Sequence, residues 1–92
     1  MLRAIVIDDV DSIRTKNIDL IKSHCPNIAI IGQANSVKSG ISLIKQIVPD
    51  LVFLDVEMPD GIGFYFLQML KPIQFKVIFI TFYEYFVILF FL

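Results

Sequence analysis

Three aspartates in this sequence stand where a carboxylate can do chemistry. Asp8 and Asp9 follow the apolar run Leu2–Ile7, and Asp55 follows a second run, 51–54. A third run, 76–81, ends on the hydroxyl of Thr81. If these runs are neighbouring strands, the carboxylates meet at one edge of a sheet. Two carboxylates about 4 Å apart repel by about 4 kcal/mol at an effective dielectric of about 20. Such a cluster is costly unless one acid holds a proton or a cation sits among them. Hard oxygen ligands at an open, wet rim suit Mg²⁺, which favours an octahedron and keeps several waters. One carboxylate is then placed to attack phosphorus and form an acyl phosphate, while the cation neutralises charge on the transferring group. Thr81 is placed to hydrogen-bond a phosphoryl oxygen.

Taken singly, each of these residues has a plainer reading. An acid after a strand is commonly solvated or caps the next helix, and a lone threonine is often just a strand-end residue. Asp55 lies between Leu54 and Val56, a costly place for an unpaired charge. It is the coincidence of all four positions at strand ends that favours chemistry. His24 reads as a helix-end surface residue and Cys25 as a small core hydrophobe. Neither is assigned a chemical role.

The elements that must position these groups follow from the spacing. After Asp9, Asp11 or Ser12 can cap a helix on which Ile13, Leu20, Ile21 and Cys25 share an arc. Arg14, Lys16, Asp19 and Lys22 fall largely elsewhere on it. Pro26 and Asn27 end that helix, and 28–33 is a second strand. Asn35 or Ser36 starts a second helix with the stripe Val37, Ile41, Ile44 and Val48, terminated by Pro49 and Asp50. The third strand is 51–54, Met58-Pro59-Asp60-Gly61 is a turn by its chemistry, and 64–70 reads as a short helix ended by Lys71-Pro72. The fourth strand is 76–81. This alternation argues for a parallel sheet with helices on both faces, and the unbroken apolar strands agree. In such sheets ligands bind beyond the carboxyl ends of the strands, where strand order reverses. That rule selects Asp8, Asp9, Asp55 and Thr81.

Composition narrows the classes. The 92 residues make one small domain, 57% hydrophobic and 18% charged, which excludes a disordered tail. A net charge of −1 builds no basic face for nucleic acid. The single cysteine closes no intrachain disulfide, in keeping with a cytoplasmic protein, and the first residues do not read as a signal peptide. Over 77–92 the only charge is Glu84. A spanning helix wants about 20 apolar residues, so this tail reads as a buried strand and a buried helix rather than a membrane segment.

The residues that carry a family likeness are Ile5-Val6-Ile7-Asp8-Asp9, the run from Leu51 through Asp55-Val56-Glu57-Met58-Pro59, Gly61 to Phe64, and Ile78-Phe79-Ile80-Thr81. Together they resemble the receiver domain of response regulators in bacterial two-component systems, over about 1–83. The stretches from Asp55 to Phe64 and around Thr81 to Glu84 look most like receivers of the LytTR type, which precede a DNA-binding domain. The resemblance implies a signalling module, not an enzyme. Asp55 is then the phosphoacceptor, supplied by a sensor histidine kinase. Asp9 binds Mg²⁺ directly, Asp8 assists through water, and the backbone carbonyl of Glu57 completes the protein ligands. Thr81 is the switch that turns toward the phosphoryl group.

The likeness also implies a flavodoxin-like, doubly wound α/β fold, with sheet order 2-1-3-4-5 in the family. The fifth strand, the lysine at its end and the fifth helix have no counterpart here, and Phe82 stands where the family keeps a small residue. The expectation is therefore one truncated receiver domain over 1–92, with four strands in the order 2-1-3-4 and 84–92 as a divergent apolar tail. A bare fourth strand is a template for self-association. The tail is too short for a parallel crossover, which needs about 10–12 residues. It is expected as a buried helix or as a strand shared between two copies. Three other readings remain: a receiver remnant acting only as an interaction module, a haloacid-dehalogenase-like phosphatase fragment built on Asp9-Val10-Asp11-Ser12, and, weakest, membrane attachment through the tail.

Overall fold

The apolar runs become strands, and the amphipathic stretches between them become helices, in a computed structural model of the chain. It describes residues 1–55, 57–58, 61–62, 75–80 and 87–90. In chain order these form β1 (Leu2–Ile7), α1 (Asp11–His24), β2 (Ile28–Ala34), α2 (Val37–Ile47), β3 (Leu51–Asp55), β4 (Glu57–Met58), β5 (Gly61–Ile62), β6 (Lys76–Ile80) and β7 (Val87–Phe90). The main sheet runs β2-β1-β3-β6-β7, and β4 pairs with β5 in a separate small ribbon. Its first four strands are parallel and keep the flavodoxin-like order expected from the sequence. The chain steps from β1 outward to β2, then back past β1 to β3. Right-handed crossovers in opposite directions place α1 and α2 on opposite faces.

Strand periodicity then divides the core. Ile5, Ile7, Val52, Leu54, Val77 and Phe79 pack with Val37 and Ile44 of α2. Ala4, Val6, Leu51 and Phe53 pack with Ile18 and Ile21 of α1. Burying each such branched or aromatic side chain contributes about 1.5–3 kcal/mol. The centre of β1 is closed on both faces, which is why it reads as an unbroken apolar run.

Both helices depart from expectation at their ends. The N-cap of α1 is Val10, with no side-chain cap, and Asp11 lies in the first turn. The reason is local: the Asp8 carboxylate accepts the Val10 amide at 2.9 Å, and Asp11 is occupied by Arg14. Leu20 is exposed while Ile18 is buried, because two helical positions lie about 200° apart around the axis. In α2, Ser36 caps through a reciprocal box with Ser39. Val37 and Ile44 are buried, but Val48 leaves the expected stripe: it ends the helix in a left-handed conformation at φ 53 and is 61% exposed. Arg3 holds this terminus by donating to the carbonyls of Ile47 and Val48, and its own amide donates to the Asp50 carboxylate.

The largest departure is at the tail. β7 lies antiparallel along β6, pairing Val77 with Phe90 and Ile80 with Val87. The edge expected to be bare is therefore covered by the same chain, and the sheet has five strands. The crossover argument holds only for a parallel neighbour; an antiparallel one needs no more than a short connection, which 81–86 supplies. The short helix expected over 64–70, together with Thr81 and Phe82, lies outside the described residues. Among those described, no helix is long and apolar enough to cross a membrane.

Candidate functional site: an acidic pocket at the switch point

Strand order reverses between β1 and β3, and their register decides what meets there. Ile7 pairs with Leu54, so the next residues, Asp8 just past β1 and Asp55 at the end of β3, lie side by side. Asp9 follows at the turn into α1. Carboxylate oxygens of Asp8, Asp9 and Asp55 all lie within 4.8 Å of one another. Asp8 is buried, and the other two are half-buried. The three acids selected by spacing alone are thus brought together.

Asp8 is held by its surroundings. Its amide donates to the Ala34 carbonyl at 3.1 Å, extending the β1–β2 ladder. Burial is the main influence on its carboxyl and pushes it above the ordinary value of 3.8. The Val10 amide acts against this, the charge of Asp9 adds to it, and the charge of Arg14 opposes it. A pocket that penalises its own anionic form is one that a cation would relieve. The donor set is all oxygen, half-open to water and rich in carboxylate, which fits Mg²⁺. Glu57 begins β4, two positions beyond Asp55 in the sequence. Thr81 lies outside the described residues.

Two residues escaped the sequence reading. Arg14, placed with the solvent-facing side chains, is only 13% exposed. Its guanidinium donates to the Asp8 carbonyl at 2.8 Å, the Asp11 carboxylate at 2.6 Å and the Gln33 amide oxygen at 2.7 Å. The pairing of Asp11 with Arg14 three positions on was visible as a helix motif; the reach to Gln33 on β2 was not. Gln33 also lines a shallow groove with Ser36, Ser39 and Ser42, and among the described residues no carboxylate lines that groove.

A flavodoxin-like parallel sheet with an acidic pocket at its switch point defines the receiver class of α/β module. This chain belongs to the response regulator receiver domain family, whose model matches residues 4–87. It is 39% identical over 85 residues to an uncharacterized response regulatory protein of Vibrio cholerae, covering 91% of this chain and 35% of that one. It is 34% identical over 74 residues to a protein-glutamate methylesterase/protein-glutamine glutaminase of Agrobacterium fabrum, covering 80% of this chain and 21% of that one. Among solved structures, a LuxR-family DNA-binding response regulator of Staphylococcus aureus superposes with a TM-score of 0.81 at 28% identity, over 92% of this chain and 72% of that one. The chain spans about a third of the V. cholerae protein and less of the methylesterase. Receivers are signalling modules, and the enzymatic activity in the methylesterase's name is said of that longer protein.

Proposed function

We propose that this chain is a phosphoacceptor: Asp55 takes a phosphoryl group from a histidine kinase and hands the signal to an output domain, of LytTR type. One observation carries the reading, the register that sets Asp8 and Asp9 beside Asp55. In the step itself a carboxylate oxygen of Asp55 attacks phosphorus of a phosphohistidine. The P–N bond breaks as the O–P bond forms, and the imidazole leaves and takes up a proton. Mg²⁺, when bound, neutralises charge on the phosphoryl oxygens. Asp9 would hold it directly, Asp8 through water, and Glu57 through its backbone carbonyl. Thr81 would hydrogen-bond the phosphoryl group and act as the switch. The site of action is the cytoplasm.

The test is to treat the chain with acetyl phosphate and Mg²⁺ and map the acyl phosphate by mass spectrometry after borohydride reduction. Labelling is expected at Asp55 and not at Asp50, Asp60 or Glu57. Undiminished labelling of Asp55→Asn would refute the assignment.

A second reading, an interaction module that no longer signals, is favoured by β7. That strand runs antiparallel where the family places a parallel strand ending in lysine, and its residues are Val87, Ile88, Leu89 and Phe90. Self-association that beryllofluoride leaves unchanged, with no labelling of Asp55, would support it.

A further inference from the structure

We infer that Arg14 is a positioning residue for the acidic pocket, clamping the peptide that joins Asp8 to Asp9. The inference rests on the reading of Asp8 and Asp9 as Mg²⁺ ligands.

The carbonyl oxygen of Asp8 and the amide of Asp9 belong to one rigid plane. Whatever holds that oxygen sets the direction in which both acidic side chains leave the backbone. Arg14 holds it from Nη1 at 2.8 Å. The same guanidinium is anchored from Nε on Gln33 of β2 at 2.7 Å and from Nη2 on Asp11 of α1 at 2.6 Å. Three elements, the end of β1, the end of β2 and the start of α1, thus meet on one planar group. The anchors differ in weight. Asp11 is 82% exposed, and exposed ion pairs contribute little. Gln33 is exposed too, but its backbone is paired in β2 alongside β1, so it ties the guanidinium to the sheet that carries Asp8. The residue that precedes this plane is fixed as well: the Asp8 amide donates to Ala34, and its carboxylate accepts from Val10. Lysine cannot replace this arrangement, because an ammonium lacks the fixed fork that spans three acceptors.

Charge and position predict opposite results. Arg14 is a cation beside a proposed cation site, so removing its charge should by itself tighten Mg²⁺ binding. Loss of a residue that orients metal ligands should weaken binding, by about ten-fold or more. The experiment titrates Mg²⁺ into the full 92-residue chain by calorimetry, for wild type, Arg14→Gln, Arg14→Lys and Gln33→Leu. Weaker binding is expected in all three variants, strongest in Arg14→Gln, with Arg14→Lys recovering only part. The double variant Arg14→Gln/Gln33→Leu should fall short of the sum of its parts, since both changes break one clamp. Arg3→Gln, at the opposite end of the sheet, should bind as wild type.

Melting curves without metal identify any variant that fails to fold, and Gln33→Leu, which removes a single bond, then carries the test. Amide exchange at Val10 without metal is the independent readout and should quicken in Arg14→Gln. If wild type does not bind Mg²⁺, the metal reading fails, and the Val10 exchange alone decides the clamp. Unchanged Val10 exchange, or Mg²⁺ binding in Arg14→Gln as tight as in wild type or tighter, would overturn the inference.

Discussion

Replacing Asp8 by asparagine should stabilise the metal-free protein, an unusual outcome for a change at a buried position. Carboxylate oxygens of Asp8 lie within 4.8 Å of those on both Asp9 and Asp55. At that separation one pair of charges repels by about 1 kcal/mol in water and by about 3.5 kcal/mol at an effective dielectric of about 20. Asp9 and Asp55 are half-buried at an open rim, where water screens the repulsion, so the net gain lies toward the lower figures, about 1–3 kcal/mol. Asparagine keeps an oxygen for the Val10 amide, so the turn into α1 survives. For a domain of this size each kcal/mol moves Tm by about 4–8 °C. The pH dependence has a definite sign. Because burial raises the Asp8 carboxyl above 3.8, its penalty is absent below that value, builds as pH rises from there to the folded-state value, and is complete above the latter. Thermal melts in EDTA across pH 3–7 should show the variant and wild type converging in acid and separating toward neutrality. A variant that melts at or below the wild-type temperature at pH 7 in EDTA would refute this account of the pocket.

Millimolar Mg²⁺ should raise the wild-type Tm at pH 7, by an amount equivalent to about 2.7 kcal/mol at a hundred times Kd; the rise should vanish in acid, where protons displace the cation, and in Asp9→Ala. Val48→Gly should raise Tm, since the exposed valine contributes little packing and pays about 1–2 kcal/mol for its left-handed backbone, partly offset by the chain entropy of glycine. Ser36→Ala removes the cap of α2 and should cost about 1 kcal/mol in a denaturant melt. Deleting residues 87–92 uncovers the edge of β6 and should drive self-association at micromolar concentration, read by light scattering; a monodisperse monomer would count against β7 as the edge cover.

The acidic pocket was legible because it depends on short-range facts. An apolar run that ends in an acid fixes that acid at a strand end, and β-α alternation fixes which strand ends share an edge. Asp8, Asp9 and Asp55 needed nothing more. Arg14 was misplaced because a helical wheel knows only its own helix; its partners Gln33 and the Asp8 carbonyl come from other elements. Leu20 followed the same logic in reverse, an apolar residue left outside once Ile18 and Ile21 had claimed the buried face. The start of α1 at a valine could not be foreseen, because it is set from outside the helix by Asp8, whose carboxylate accepts the Val10 amide and fixes the turn into α1. The strand β7 was missed for a topological reason: the tail was measured against a parallel crossover, while the chain simply turned back.

That reversal changes how the sheet is assembled. The pairing of β1 with β3 joins residues half the chain apart, such as Ile7 and Leu54, and its loop-closure entropy must be met before any contact rewards it. Ile80 and Val87 are near neighbours in sequence, and hairpins of this kind close in about 1–10 μs. β7 therefore docks by a local event and can leave by one. In hydrogen exchange it should behave as its own cooperative unit, opening at a free energy below that of the strands that build the acidic pocket. Such an opening would bare one edge of the sheet while Asp8, Asp9 and Asp55 stay in register.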